Sequence, residues 1–131
     1  MIKLKKKYRL PFCDLKIGYN NKVLEIKDVL IDTGSGGTIL KMDLVEEIGI
    51  TIDINDEIET ISGIGGKEFV FVKKVDFIEI GSLKLNDFKV EIGAMDYGFD
   101  INGIVGMDFL EKTGAIIDLC EMSISGGGCN E

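Results

Sequence analysis

Val29-Leu30-Ile31-Asp32-Thr33-Gly34-Ser35-Gly36-Gly37-Thr38 is the stretch on which the reading of this chain turns. Three branched apolar residues in succession read as the end of a strand buried on both faces. That strand delivers an aspartate into a glycine-rich turn. A carboxylate at the end of a buried strand is costly unless hydrogen bonds receive it. Thr33, Gly34 and Ser35 offer backbone N–H groups and two hydroxyls that can hold it ionised. Gly34 allows close backbone approach or a positive φ. An aspartate in such a turn can also do no more than bond its own backbone.

Outward from this stretch, period-2 alternation dominates. Cys13, Leu15 and Ile17 alternate with Asp14 and Lys16, and Asn20-Asn21 supplies a turn into a strand over residues 23–31. Residues 69–80 read as one long strand or a bent pair, followed by a Gly81-Ser82 turn and a strand through Phe88, Val90 and Ile92. Residues 115–125 read as a last strand. Two short helices are expected, one capped by Asp43 and stopped by Gly49, the other opened by Asp108. The fold class is therefore mostly β, in a single domain over residues 1–131, with a core over about 8–125 and a flexible tail at 126–131.

The chain has 131 residues and a net charge of −8, with 45% hydrophobic residues. One domain burying roughly two-thirds of its unfolded surface fits that length. The acidic balance argues against nucleic acid, which needs clustered cations. There is no histidine, which removes Ser-His-Asp and Cys-His catalysis and His-ligated metals. Cysteines at 13, 120 and 129, with no CxxC spacing, make neither a disulfide framework nor a zinc site. The basic N-terminus lacks the apolar run of a signal peptide, and no segment reaches the ~20 apolar residues of a membrane span. A cytoplasmic protein that binds neither membrane nor nucleic acid is expected.

Two further segments matter. Ile61-Ser62-Gly63-Ile64-Gly65-Gly66 reads as a hairpin whose glycines defeat a stable strand end, a lid with one apolar residue, Ile64, at its tip. Ile104-Val105-Gly106 precedes Met107-Asp108-Phe109-Leu110. Together the three segments resemble the aspartic protease clan, and the single-domain retropepsins most closely. Asp32-Thr33-Gly34-Ser35 match the catalytic loop, Ile61 to Gly66 lie close to the flap tip, and Ile104-Val105-Gly106 match the segment that crosses behind the loop. Gly106 to Leu110 look like the G-x-D-F-L run of bacterial and retroelement members.

The resemblance implies a closed acid-protease β-barrel with a glycine-rich flap, and an aspartic endopeptidase acting on a protein or peptide substrate without cofactor or metal. One Asp-Thr-Gly in a chain too short for two lobes implies a homodimer, with Asp32 contributed by each copy. It further implies that Asp32, Thr33, Gly34 and Ser35 are catalytic, with Ser35 bonding the outer oxygen of Asp32. Leu30, Ile61, Gly63, Ile64, Gly65 and Ile104 would bind substrate, and Val105, Gly106 and Asp108 would support the loop, Asp108 as a helix cap. Gly36-Gly37 stand where retroviral members often carry an acidic group, and Met107 where they carry an arginine. A catalytically silent dimeric peptide-binding or scaffold module with the same fold is the alternative. The run Asp53 to Glu57 lacks the glycine and glutamate a calcium loop needs.

Overall fold

In the computed structural model, which describes residues 1–63 and 66–127, strands account for most of the chain. Short strands β1 (Ile2–Lys3) and β2 (Lys5–Lys7) lead into β3 (Leu10–Tyr19) and β4 (Lys22–Ile31). Asn20 and Asn21 join the latter two with φ of 53° and 65°, the paired positive values that match the twist of a two-residue hairpin. After β5 (Ile39–Lys41) comes α1 (Met42–Val45), which tightens into a 3-10 turn over Glu46–Ile48. Then follow β6 (Ile58–Gly63), β7 (Gly66–Ile80), β8 (Leu83–Gly93), β9 (Gly103–Val105), α2 (Met107–Lys112), β10 (Ala115–Asp118) and β11 (Ser123–Gly126).

The larger sheet runs β2-β3-β4-β9-β5-β8-β7-β6, and β3 pairs with β7 as well. The smaller one runs β1-β11-β10. In the larger sheet β9 lies parallel to β4 and antiparallel to β5. A strand from late in the chain thus separates two strands that are close in sequence, and the loop over residues 32–38 bridges them.

The apolar run before Asp32 is buried on both faces, as its composition suggested. Val29 and Ile31 join the main core with Cys13, Leu15 and Ile17, while Leu30 turns the other way into a smaller cluster with Phe12, Ile39, Val70, Met95, Ile101 and Ile104. A register shift between Cys13 and Leu15 bends β3 where the two clusters divide. In α2, Phe109 and Leu110 are buried, and the Phe109 ring meets Phe88 edge-on at 6.1 Å between centroids.

Several expectations need correction. Residues 115–125 form a hairpin rather than one strand, because the Asp118 carboxylate accepts the Glu121 N–H (3.0 Å) and folds the chain back. The tail does not start at 126: Gly126 pairs with Ala115, and the Gly127 N–H donates to Gly114 O at 2.8 Å. Residues 128–131, including Cys129, lie outside the described residues. The ordered fold also reaches further toward the N-terminus than residue 8, since β1 pairs with β11 and Leu4 is buried. Asp43 lies inside the first turn of α1 instead of capping it.

The segment Asp53 to Glu57 is held by a cation. Lys73 on β7, whose side chain is 7% exposed, reaches Asp53 at 2.9 Å and Asp56 at 2.7 Å. Burial pulls the Lys73 ammonium down, but the bonds to Asp56 and Asp53 outweigh it, and its pKa lies above the ordinary value. The Lys73 bond, aided by the Asp53 N–H, holds the Asp56 carboxyl below the usual range. A carboxyl lowered in the fold stabilises fully above its unfolded value of about 3.9 and loses that contribution as pH falls through the folded value. Urea unfolding across pH should therefore show an acid loss of stability below about pH 4. Lys73→Met should reduce stability at neutral pH and flatten that acid limb; an unchanged limb would show that Asp56 does not contribute.

Candidate active site

Asp32 is positioned from beneath by β9. Leu30 and Ile31 pair with Ile104 and Val105, and the Asp32 N–H donates to Val105 O at 2.9 Å. The chain then turns, with the Ser35 N–H donating to Asp32 O at 3.1 Å. Asp32 Oδ1 accepts the Gly34 N–H at 2.9 Å, the backbone reception that the sequence reading requires.

The start of α2 clamps the rest of the loop. The first N–H groups of a helix have no partner inside it, and here the loop supplies partners. Met107 N–H donates to Ser35 O (2.7 Å), and Asp108 N–H donates to Gly36 O (3.3 Å). Gly106 N–H donates to Thr38 Oγ1 (3.2 Å), whose hydroxyl donates in turn to Asp108 Oδ1 (2.8 Å). Asp108 Oδ1 also accepts the Phe109 N–H at 2.8 Å. No side chain fits at residue 106, because a Cβ there would lie 2.7 Å from Ser35 O and closer still to Gly37 O.

A cleft of 420 Å³ opens above the loop. Asp32, Gly34 and Ser35 line it, with Ile61 from β6 and Ile104 from β9. Leu30 does not. It is buried beneath, in the smaller apolar cluster that also holds Ile39 and Ile104, and Ile39 lines the cleft instead. Thr33 and Gly34 are exposed, and Val105 is fully buried behind the loop. Gly63 pairs with Gly66 where β6 and β7 meet; Ile64 and Gly65 lie outside the described residues.

Two assigned roles change. Ser35 Oγ donates its single proton to Gly37 O (2.8 Å) rather than to Asp32, so it braces the loop's own turn. Asp108 does not cap α2, whose N-cap is Gly106. It sits within the first turn, an acidic group near the positive helix end, and is bound to Thr38 and Phe109.

Sequence reasoning passed over Thr38, Glu91 and Tyr97. Thr38 carried a signal, a hydroxyl residue at the threshold of the buried Ile39-Leu40 pair that needs an internal partner. Glu91 and Tyr97 carried none: strand pairing brings Glu91 to the cleft, and Tyr97 reaches it from the segment between β8 and β9. The Tyr97 hydroxyl donates to Glu68 Oε1, and the Met95 N–H donates to Glu68 Oε2 at 3.3 Å. These bonds tie the segment after β8 to β7. Burial, with the Glu68 carboxylate beside it, holds the Tyr97 phenol above its ordinary pKa.

Among the described residues, no group of three or more His, Cys, Asp or Glu side chains is arranged to hold a metal ion. No helix among them is long and apolar enough to cross a membrane. Cys13 is buried, and burial pushes its thiol up to about 12, so it stays protonated near neutrality.

The clamp makes two substitutions informative. Thr38→Val keeps shape but strands the Gly106 N–H and takes a donor from Asp108, and should cost about 1–3 kcal/mol in urea unfolding. Gly106→Ala should cost at least as much, about 2 kcal/mol or more, since the methyl meets backbone oxygens that cannot step aside. A near-neutral result for both would mean that the loop is not held by this segment.

No curated protein matches the chain. Residues 20–112, well over half of its length, match the family described as gag-polyprotein putative aspartyl protease. The matched span contains the Asp32 loop, the β6–β7 hairpin and the Gly106 clamp. This chain is therefore a member of that retropepsin-like aspartyl protease family.

Proposed function

We propose that the protein is an aspartic endopeptidase that works as a homodimer, with Asp32 from each of two copies forming a dyad. The observation that carries this reading is Asp32 itself, backbone-anchored at Oδ1 and lining a cleft between Ile61, Ile39 and Ile104. Asp108, the other aspartate beside the loop, is committed to Thr38 and Phe109. A second aspartate must then come from another copy. Exposed Thr33 and Gly34 lie at the part of the loop where a second copy would approach.

Two carboxylates about 3 Å apart cannot both ionise, and in aspartic proteases they share a proton and titrate as a pair. The ionised Asp32 takes a proton from a water held between the two, and that water attacks the peptide carbonyl. The protonated Asp32 hydrogen-bonds the carbonyl oxygen and then protonates the leaving nitrogen. Thr33 links the two loops. Ile61, Ile39 and Ile104 offer apolar contact to substrate side chains. The β6–β7 hairpin acts as the flap that covers the bound peptide and excludes water. The extra β3–β7 pairing supports a closed barrel beneath this site.

Asp32→Asn keeps the shape of the side chain but cannot accept the proton from water. Peptide cleavage should fall on the order of 10³-fold or more, with circular dichroism and sedimentation unchanged. Retained cleavage would overturn the assignment. Each copy holds half a site, so specific activity should also fall on dilution below the dimer dissociation constant. Full specific activity in a sample that sediments purely as monomer would overturn the dyad.

A further inference from the structure

The cleft that Asp32 lines holds a second carboxylate, Glu91, placed there by strand pairing. Glu91 lies on β8 opposite Ile39 of β5, and its N–H donates to Thr38 O at 2.9 Å. Its position is thereby tied to the end of the Asp32 loop. The side chain runs over Gly37, where an added Cβ would lie 2.8 Å from Glu91 Oε1. The missing side chain at 37 is what leaves room for the carboxylate.

Glu91 lines both the 420 Å³ cleft and an adjoining hollow of 240 Å³ that Glu57, Glu59, Lys89 and Asp108 also line. It therefore sits where the cleft continues past the loop. Among the described residues it forms no ion pair, with Lys89 or any other cation. Partial burial, then the nearby Glu59 and Asp108, raise its carboxyl above the ordinary value. A desolvated carboxylate among like charges is a place where an incoming cation gains most. A net charge of −8 also favours the approach of basic peptides.

We propose that Glu91 is a specificity-determining residue whose carboxylate receives a lysine or arginine side chain at a fixed position of the substrate peptide, each copy of the dimer receiving one on its own side of the scissile bond. This rests on the endopeptidase reading above. A neutral side chain at that position leaves Glu91 partly buried and unpaired, whereas a basic one gives it a charge-assisted hydrogen bond. Selectivity follows from that difference.

The test uses a peptide set in which each position around the scissile bond carries arginine, glutamine or glutamate in turn. For wild type, the kcat/KM ratio of arginine to glutamine peptides should be on the order of tenfold at a pair of positions, one on each side of the scissile bond. Glu91→Gln should bring that ratio to near one, and Glu91→Lys should turn the preference toward glutamate. Glu91 is only partly buried and lies at the edge of the cleft, so both variants should fold, as circular dichroism checks. A wild-type enzyme without any basic preference, or a preference that survives both substitutions, overturns the proposal. So does loss of cleavage of all peptides alike in Glu91→Gln, because Glu91 then serves the chemistry rather than selection. Anisotropy titration of the same peptides against Asp32→Asn, with and without Glu91→Gln, separates the two readings. A Glu91-dependent preference for arginine in binding, with no cleavage by wild type, upholds the subsite and overturns only the endopeptidase.

Discussion

Gly106 approaches the carbonyl oxygens of Ser35 and Gly37 so closely that no side chain could stand between them. Everything around the candidate site depends on that approach. It lets the N–H groups of Gly106, Met107 and Asp108 reach the hydroxyl of Thr38 and the carbonyls of Ser35 and Gly36. The loop and the helix start satisfy each other, a loop with carbonyls to place and a helix with N–H groups to place. Buried polar groups left alone would oppose folding. Among the described residues every buried side-chain nitrogen and oxygen finds a partner.

The same accounting sorts the carboxylates of this acidic chain. Asp108 is taken up by Thr38 and the Phe109 N–H, Asp53 and Asp56 by Lys73, and Glu68 by Tyr97 and the Met95 N–H. Those groups hold loops and strands in place. Asp32 uses one oxygen on the Gly34 N–H and faces the cleft, and Glu91 faces the same cleft and forms no ion pair among the described residues. Environment, more than residue type, separates a structural carboxylate from one free to meet a ligand.

Strand pairing gives the cleft its rigidity. β9 sits between β4 and β5, so Ile104 contacts both the strand that delivers the loop and the strand that receives it. Leu30, Ile39 and Ile104 share one apolar cluster below. A side chain lining the cleft is therefore packed from behind, which restricts its motion without any bond to a ligand.

The fold class and the Asp32 turn were legible because both are local. Alternation of apolar residues marks strands, and an aspartate after Val29-Leu30-Ile31 must find hydrogen bonds nearby, which Gly34 supplies two residues on. The hairpin turns at Asn20-Asn21 and Gly81-Ser82 are local for the same reason. The break at residues 119–122 escaped because a turn made by one aspartate side chain leaves no interruption in the apolar pattern. Leu30 was assigned to the cleft, and Ser35 to the Asp32 carboxylate, since sequence orders residues but does not say which of them the fold covers or which acceptor a hydroxyl finds. Glu91 and Tyr97 reach the cleft through pairings with residues dozens of positions away. Periodicity carries no information about which strands will lie side by side; only the folded sheet decided that, and with it which carboxylates remain open to a substrate.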